Sequence, residues 1–120
     1  MALELEQVVI DARDPVALGR WWADALGWVI VSDDAHEFEI RATPDRLPGI
    51  LFEPVDARKP TEKNRLHLDF RPGDQDAEVH RLLALGASRV DVGQGDVTWI
   101  VLADPEGNEF CVLRARQASS

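Results

Sequence analysis

The mixed apolar and polar positions from Leu3 to Ala12 (LELEQVVIDA) are rich in β-branched side chains and predict a strand. Asp14 and Pro15 follow, an N-cap and a proline suited to the first helical position. In VALGRWWADAL the spacing changes to that of a helix, with Leu18, Trp22, Ala25 and Leu26 on one side and Gly27 as its C-cap. WVIVSDDAHEFEIRA predicts two strands about a turn at Asp33-Asp34. LPGILFEPVDA predicts a third, with Pro54 marking an edge or a bulge. Polar, proline-containing residues then interrupt the pattern, and it starts again. RLHLDF reads as a strand and PGDQDAEVHRLLALG as a helix capped near Asp74 and closed by Gly86. SRVDVG, DVTWIVLAD and NEFCVL read as strands.

The order β-α-β-β-β therefore occurs twice. Module one spans residues 1–56, a linker 57–64, and module two 65–115. IDARDP opens one helix and DFRPGD the other, while ALGW and ALGA close them. With Gln7 set against His67, Gly27 falls opposite Gly86. A repeated supersecondary unit has only half a core by itself, so the two are expected to pair within one domain.

Strand alternation sorts the polar residues by face. Leu66, Leu68 and Phe70 share one face of RLHLDF, leaving Arg65, His67 and Asp69 on the other. Val8 and Ile10 oppose Gln7 in the same way. Leu51, Glu53 and Val55 share a face, as do Glu109, Cys111 and Leu113. Gln7 and Glu53 from the first half, with His67 and Glu109 from the second, form a matched set on opening and closing strands. If these faces meet, an amide, an imidazole and two carboxylates converge, donors that a divalent transition ion accepts. A carboxylate at Glu109 without such an ion or water would be costly to bury.

Composition narrows the possibilities. The 120 residues fit one domain, and 45% hydrophobic content is that of a globular chain. A net charge of −9 argues against nucleic acid and against an anionic membrane surface. No apolar run is long enough to span a membrane, and no secretory signal is read at the start. The sole cysteine, Cys111, precludes an internal disulfide and suits a cytoplasmic protein. No base adjacent to Cys111 is evident in the sequence, so it is not expected to be a nucleophile. Trp21, Trp22, Trp28 and Trp99 either line a binding cup or pack in a core or dimer seam, with Trp22 assigned to the core. His36 and His80 read as surface residues, and Asp104 and Gly107 as turn residues.

DPVALGRWWADALGW, LHLDF and especially LADPEGNEFCVL resemble the vicinal oxygen chelate superfamily, over nearly the whole chain. The resemblance implies an α+β glyoxalase/bleomycin resistance/dioxygenase fold: two paired βαβββ modules in an open, cup-shaped mixed sheet, commonly a homodimer. It implies a divalent metal (Zn, Ni, Mn, Co or Fe) on Gln7, Glu53, His67 and Glu109. It further implies proton transfer by Glu109 with Glu53 as its partner. The chain lacks the added segments with which glyoxalase I holds glutathione, and Gln7 departs from the two-histidine iron site of the ring-cleaving relatives. Three functions follow as expectations: a metal-dependent lyase or isomerase of a small oxygenated substrate, a metal-free protein that sequesters a drug or metabolite, or a module that only dimerises.

Overall fold

The computed structural model describes residues 3–55, 66–90 and 98–115. They fall into two compact units, Met1–Arg58 and Lys59–Ser120. The predicted linker, residues 57–64, lies outside the described residues.

The first unit contains β1 (Gln7–Ala12), α1 (Pro15–Leu26), β2 (Val29–Asp33), β3 (Phe38–Arg41) and β4 (Gly49–Pro54). The second contains β5 (Leu68–Phe70), α2 (Gln75–Leu85), β6 (Ser88–Arg89), β7 (Ile100–Ala103) and β8 (Glu109–Val112). Each makes a four-stranded mixed sheet of the same order, β1-β4-β3-β2 and β5-β8-β7-β6. The opening and closing strands run parallel, and the other pairs are antiparallel. The α+β class and the repeated βαβββ module are as the sequence predicts.

Both helices start and stop for the predicted reasons. The carboxylates of Asp14 and Asp74 accept the N–H groups of Ala17 and Ala77, each at 3.1 Å, satisfying donors that the first turn leaves free. Gly27 and Gly86 close the helices at φ 68° and 115°, in the left-handed region that costs glycine little.

α1 packs on β3 and β4. Trp22 and Leu18 are buried, as are Phe38, Ile40, Ile50 and Phe52 on one sheet face. Each such side chain contributes about 1.5–3 kcal/mol by leaving water. Trp21 and Trp22 meet edge to face at 5.0 Å. Gly19 lets the helix come close: a methyl group there would lie 2.1 Å from the Phe38 ring. In the second unit α2 packs on β8 and buries Val79 and Leu82. The Gln75 amide donates to the carbonyls of Thr98 (2.8 Å) and Val112 (3.1 Å), tying the helix start to β8 and to the segment just before β7. Phe70 and Phe110 meet edge to face at 5.9 Å.

Three details differ from the sequence reading. β1 begins at Gln7, and Leu3 and Leu5 before it are exposed. Pro54 belongs to a central strand, neither an edge nor a bulge. The N–H groups of Gly49 and Val55 point to β1, so in alternation residue 54 faces the β3 side. There β3 starts only at Phe38, opposite Phe52, and no ladder bond is lost to the proline. β6 covers only Ser88–Arg89; Val90 still donates to the carbonyl of Val101, and the rest of the predicted length, residues 91–93, lies outside those described.

Candidate functional site

In the second unit, Leu68 pairs with Phe110 and Asp69 with Cys111. The same register brings His67, just before β5, beside Glu109 at the start of β8. His67, Asp69, Glu109 and Cys111 therefore share one face of two adjacent parallel strands, and Val101 and Ala103 extend that face on β7. The His67 Nε2 lies 3.1 Å from the Asp69 carboxylate. Both side chains are open to solvent, while Cys111 between the strands is buried. The donor atoms of His67, Asp69 and Cys111 all lie within 4.8 Å of one another. Glu109, half-buried and paired in register with Ala103, stands outside this cluster.

One nitrogen, one oxygen and one sulfur donor make a chemically sound set for a divalent transition ion. The negative charges of a carboxylate and a thiolate would balance its +2 charge. The residues thus fit the ion that the resemblance implies.

In the first unit, Gln7 pairs with Gly49, and Glu53 pairs with Asp11. Gln7 and Glu53 share a face, but Glu53 is four residues past the partner of Gln7, roughly 13 Å along the strand. The same face is occupied by an internal ion pair. Arg41 Nε donates to Glu39 at 2.9 Å and its Nη1 donates to the carbonyl of Pro44 at 2.9 Å. Both charged side chains are largely covered, and the hydrogen bond that Arg41 donates to Glu39 holds the guanidinium even more firmly protonated than usual. Gly49 leaves room for them, since a methyl group there would lie 2.6 Å from a Glu39 carboxylate oxygen.

The structure therefore brings His67 and Glu109 together in one unit and sets Gln7 and Glu53 apart on one face of the other. Asp69 and Cys111 are the donors that sequence reasoning did not assign. Strand alternation had already put Asp69 with His67 and Cys111 with Glu109. The missing information was the register that sets Asp69 opposite Cys111. Of the aromatic residues, Trp22 is in the core and Trp99, just before β7, is exposed. His36 and His80 are on the surface as expected, and Asp104 is a turn residue.

The glyoxalase-like domain family matches residues 7–113 of the chain. The chain belongs to this family, and with it to the vicinal oxygen chelate superfamily. Solved structures share the fold at low identity. A glyoxalase/bleomycin resistance protein/dioxygenase family enzyme from Burkholderia phytofirmans PsJN is 19% identical with a TM-score of 0.72, covering 95% of this chain and 100% of that one. The fosfomycin resistance protein FosX from Mesorhizobium loti is 16% identical with a TM-score of 0.68, covering 97% and 94%. A bleomycin resistance determinant encoded on transposon Tn5 is 15% identical with a TM-score of 0.63, covering 96% and 100%. No curated protein matches the chain by sequence. Likeness at these identities establishes the fold and leaves the reaction to the site itself. Among the described residues no helix is long and apolar enough to cross a membrane.

Proposed function

We propose that this glyoxalase-like protein is a divalent-metal-dependent lyase or isomerase of a small oxygenated substrate. The observation that carries the reading is the polar face of the second sheet, where an imidazole (His67) and two carboxyl groups (Asp69, Glu109) share two adjacent strands. When bound, the ion supplies Lewis-acid polarisation of paired substrate oxygens. His67 would hold it, with the Asp69 carboxylate 3.1 Å from its Nε2. Glu109, half-buried on the same face, accepts a proton from the substrate and returns it to a neighbouring atom. The resemblance adds Gln7 and Glu53 as further donors and Glu53 as the partner in proton transfer. The homodimer and the cytoplasmic location belong to the same reading.

The test is metal content. Protein purified without chelators should carry a stoichiometric divalent ion, retain it poorly as His67→Ala, and catalyse a lyase or isomerase reaction that Glu109→Gln abolishes. Absence of metal together with tight binding of an aromatic ligand would replace this reading with that of a metal-free sequestering protein.

A further inference from the structure

Cys111 has no part in the reading above, yet its position is specific. It lies directly opposite Asp69 in a parallel pair, and His67 is two residues before Asp69 on the same face. We propose that His67, Asp69 and Cys111 are the protein ligands of a thiophilic divalent ion of the zinc class, with Glu109 outside the coordination sphere. The proposal rests on the metal dependence argued above and deepens it by naming a different ligand set and a class of ion.

Geometry supports it first. With bond lengths of about 2.0–2.3 Å, donors around a tetrahedral ion stand roughly 3.3–3.8 Å apart. The three donor atoms already lie within 4.8 Å. Side-chain rotation closes the remaining gap, because the backbone positions are fixed by the ladder between β5 and β8. The bland alternative is a surface ion pair of His67 with Asp69 above a cysteine that only packs. It accounts for each residue singly but not for three different donor types meeting at in-register positions.

Chemistry then selects the ion. Magnesium and manganese favour oxygen ligands, whereas a thiolate favours zinc or cobalt. The site's openness adds a further point. Cys111 is buried while His67 and Asp69 reach solvent, so the ion would sit above the thiol with a side left for water or substrate. Three protein ligands with an open position are the pattern of catalytic zinc. Glu109, held out of coordination, keeps its carboxylate for proton transfer.

Cobalt(II) titration of the full-length, metal-stripped protein tests this by absorption. The wild type should develop a near-ultraviolet sulfur-to-cobalt charge-transfer band, and zinc should abolish it by displacing cobalt. Cys111→Ser should lose the band, and Asp69→Asn should weaken zinc binding by more than the roughly 10- to 100-fold that loss of an outer hydrogen-bonding partner costs. Glu109→Gln should keep the band. Circular dichroism of each variant shows whether the fold is intact, and Cys111→Ala gives a second, apolar replacement at the buried position. Cobalt bound without a thiolate band, and released by Glu109→Gln, overturns the ligand set while leaving the metal-dependent enzyme standing. A thiolate band in a protein with no lyase or isomerase activity supports the site and sinks the enzyme reading. No cobalt or zinc binding by the wild type overturns both.

Discussion

Ile50 stands in the first sheet where Phe110 stands in the second. Ile50 pairs with Val8 and Phe110 with Leu68, and each residue of the second pair is sixty positions after its counterpart. The same offset takes Gln7 to His67 and Gly49 to Glu109. It takes Glu53 to Leu113, so the two glutamates of the expected set are not counterparts. The repeat matches the opening strands of the two modules at the candidate donors and diverges at the closing strands.

Gly49 is the residue by which the first module departs from the second, and its substitution has a readable cost. A methyl group there meets Glu39 at 2.6 Å and the Ile40 carbonyl at 3.1 Å. Gly49→Ala is expected to push Glu39 off Arg41 and destabilise the fold by about 1–3 kcal/mol. Thermal denaturation should show a lower midpoint. A double-mutant cycle with Glu39→Ala should recover part of the loss, because the clashing carboxylate is then gone.

Gly19→Ala reverses an ordinary rule. In a helix interior, alanine normally stabilises by nearly 1 kcal/mol relative to glycine. Here its Cβ would lie 2.1 Å from a fully buried Phe38 ring. A net loss of about 1–3 kcal/mol is expected from overpacking. Urea unfolding of Gly19→Ala with and without Phe38→Leu measures it, and a smaller loss in the second background identifies the ring as the cause.

Asp104 is buried, and its carboxylate accepts the N–H groups of Glu106 and Asn108 at 2.9 Å and the Asn108 amide at 3.0 Å. Asp104→Ala leaves those donors without their acceptor and should cost about 1.5–3 kcal/mol. A lower urea midpoint with an unchanged m-value is the expected signature. Asp104→Asn, which keeps one acceptor oxygen, should lose less.

Asp34 accepts the backbone N–H of His36 at 2.7 Å, which lowers its carboxyl pKa from the ordinary 3.8, with the His36 ring adding to the effect. A folded-state pKa below the unfolded one gives stability that is present above the unfolded value and lost as pH falls through the folded one. An NMR titration of the Asp34 side chain should show a midpoint below that of an unstructured aspartate. In a variant with proline at position 36, which has no N–H to donate, the midpoint should rise.

The helices were the most legible part of the chain because their ends are local chemistry. Asp14, Asp74, Gly27 and Gly86 announce themselves within four residues of sequence. The repeat was legible because both modules keep the same apolar rhythm. Strand partners were not, since pairing joins β1 to β4 and β5 to β8 across about forty residues and depends on register. That is why Pro54 reads in the sequence as an edge or a bulge. It is also why Asp69 and Cys111, visible as face-mates of His67 and Glu109, were not seen as neighbours of each other. Arg41 and Glu39 were missed for the same reason: their pairing above Gly49 needs β3 and β4 side by side.

The Glu39–Arg41 pair sets the two modules on different courses. On the corresponding strand of the second module stand Val101 and Ala103, which carry no charge and no hydrogen-bonding side chain. One copy has locked its polar face against itself, and a newcomer would find its arginine already engaged. The other leaves its imidazole and acid facing water above small neighbours. A doubled architecture thereby carries two unlike polar faces, one closed on its own ion pair and one open to water.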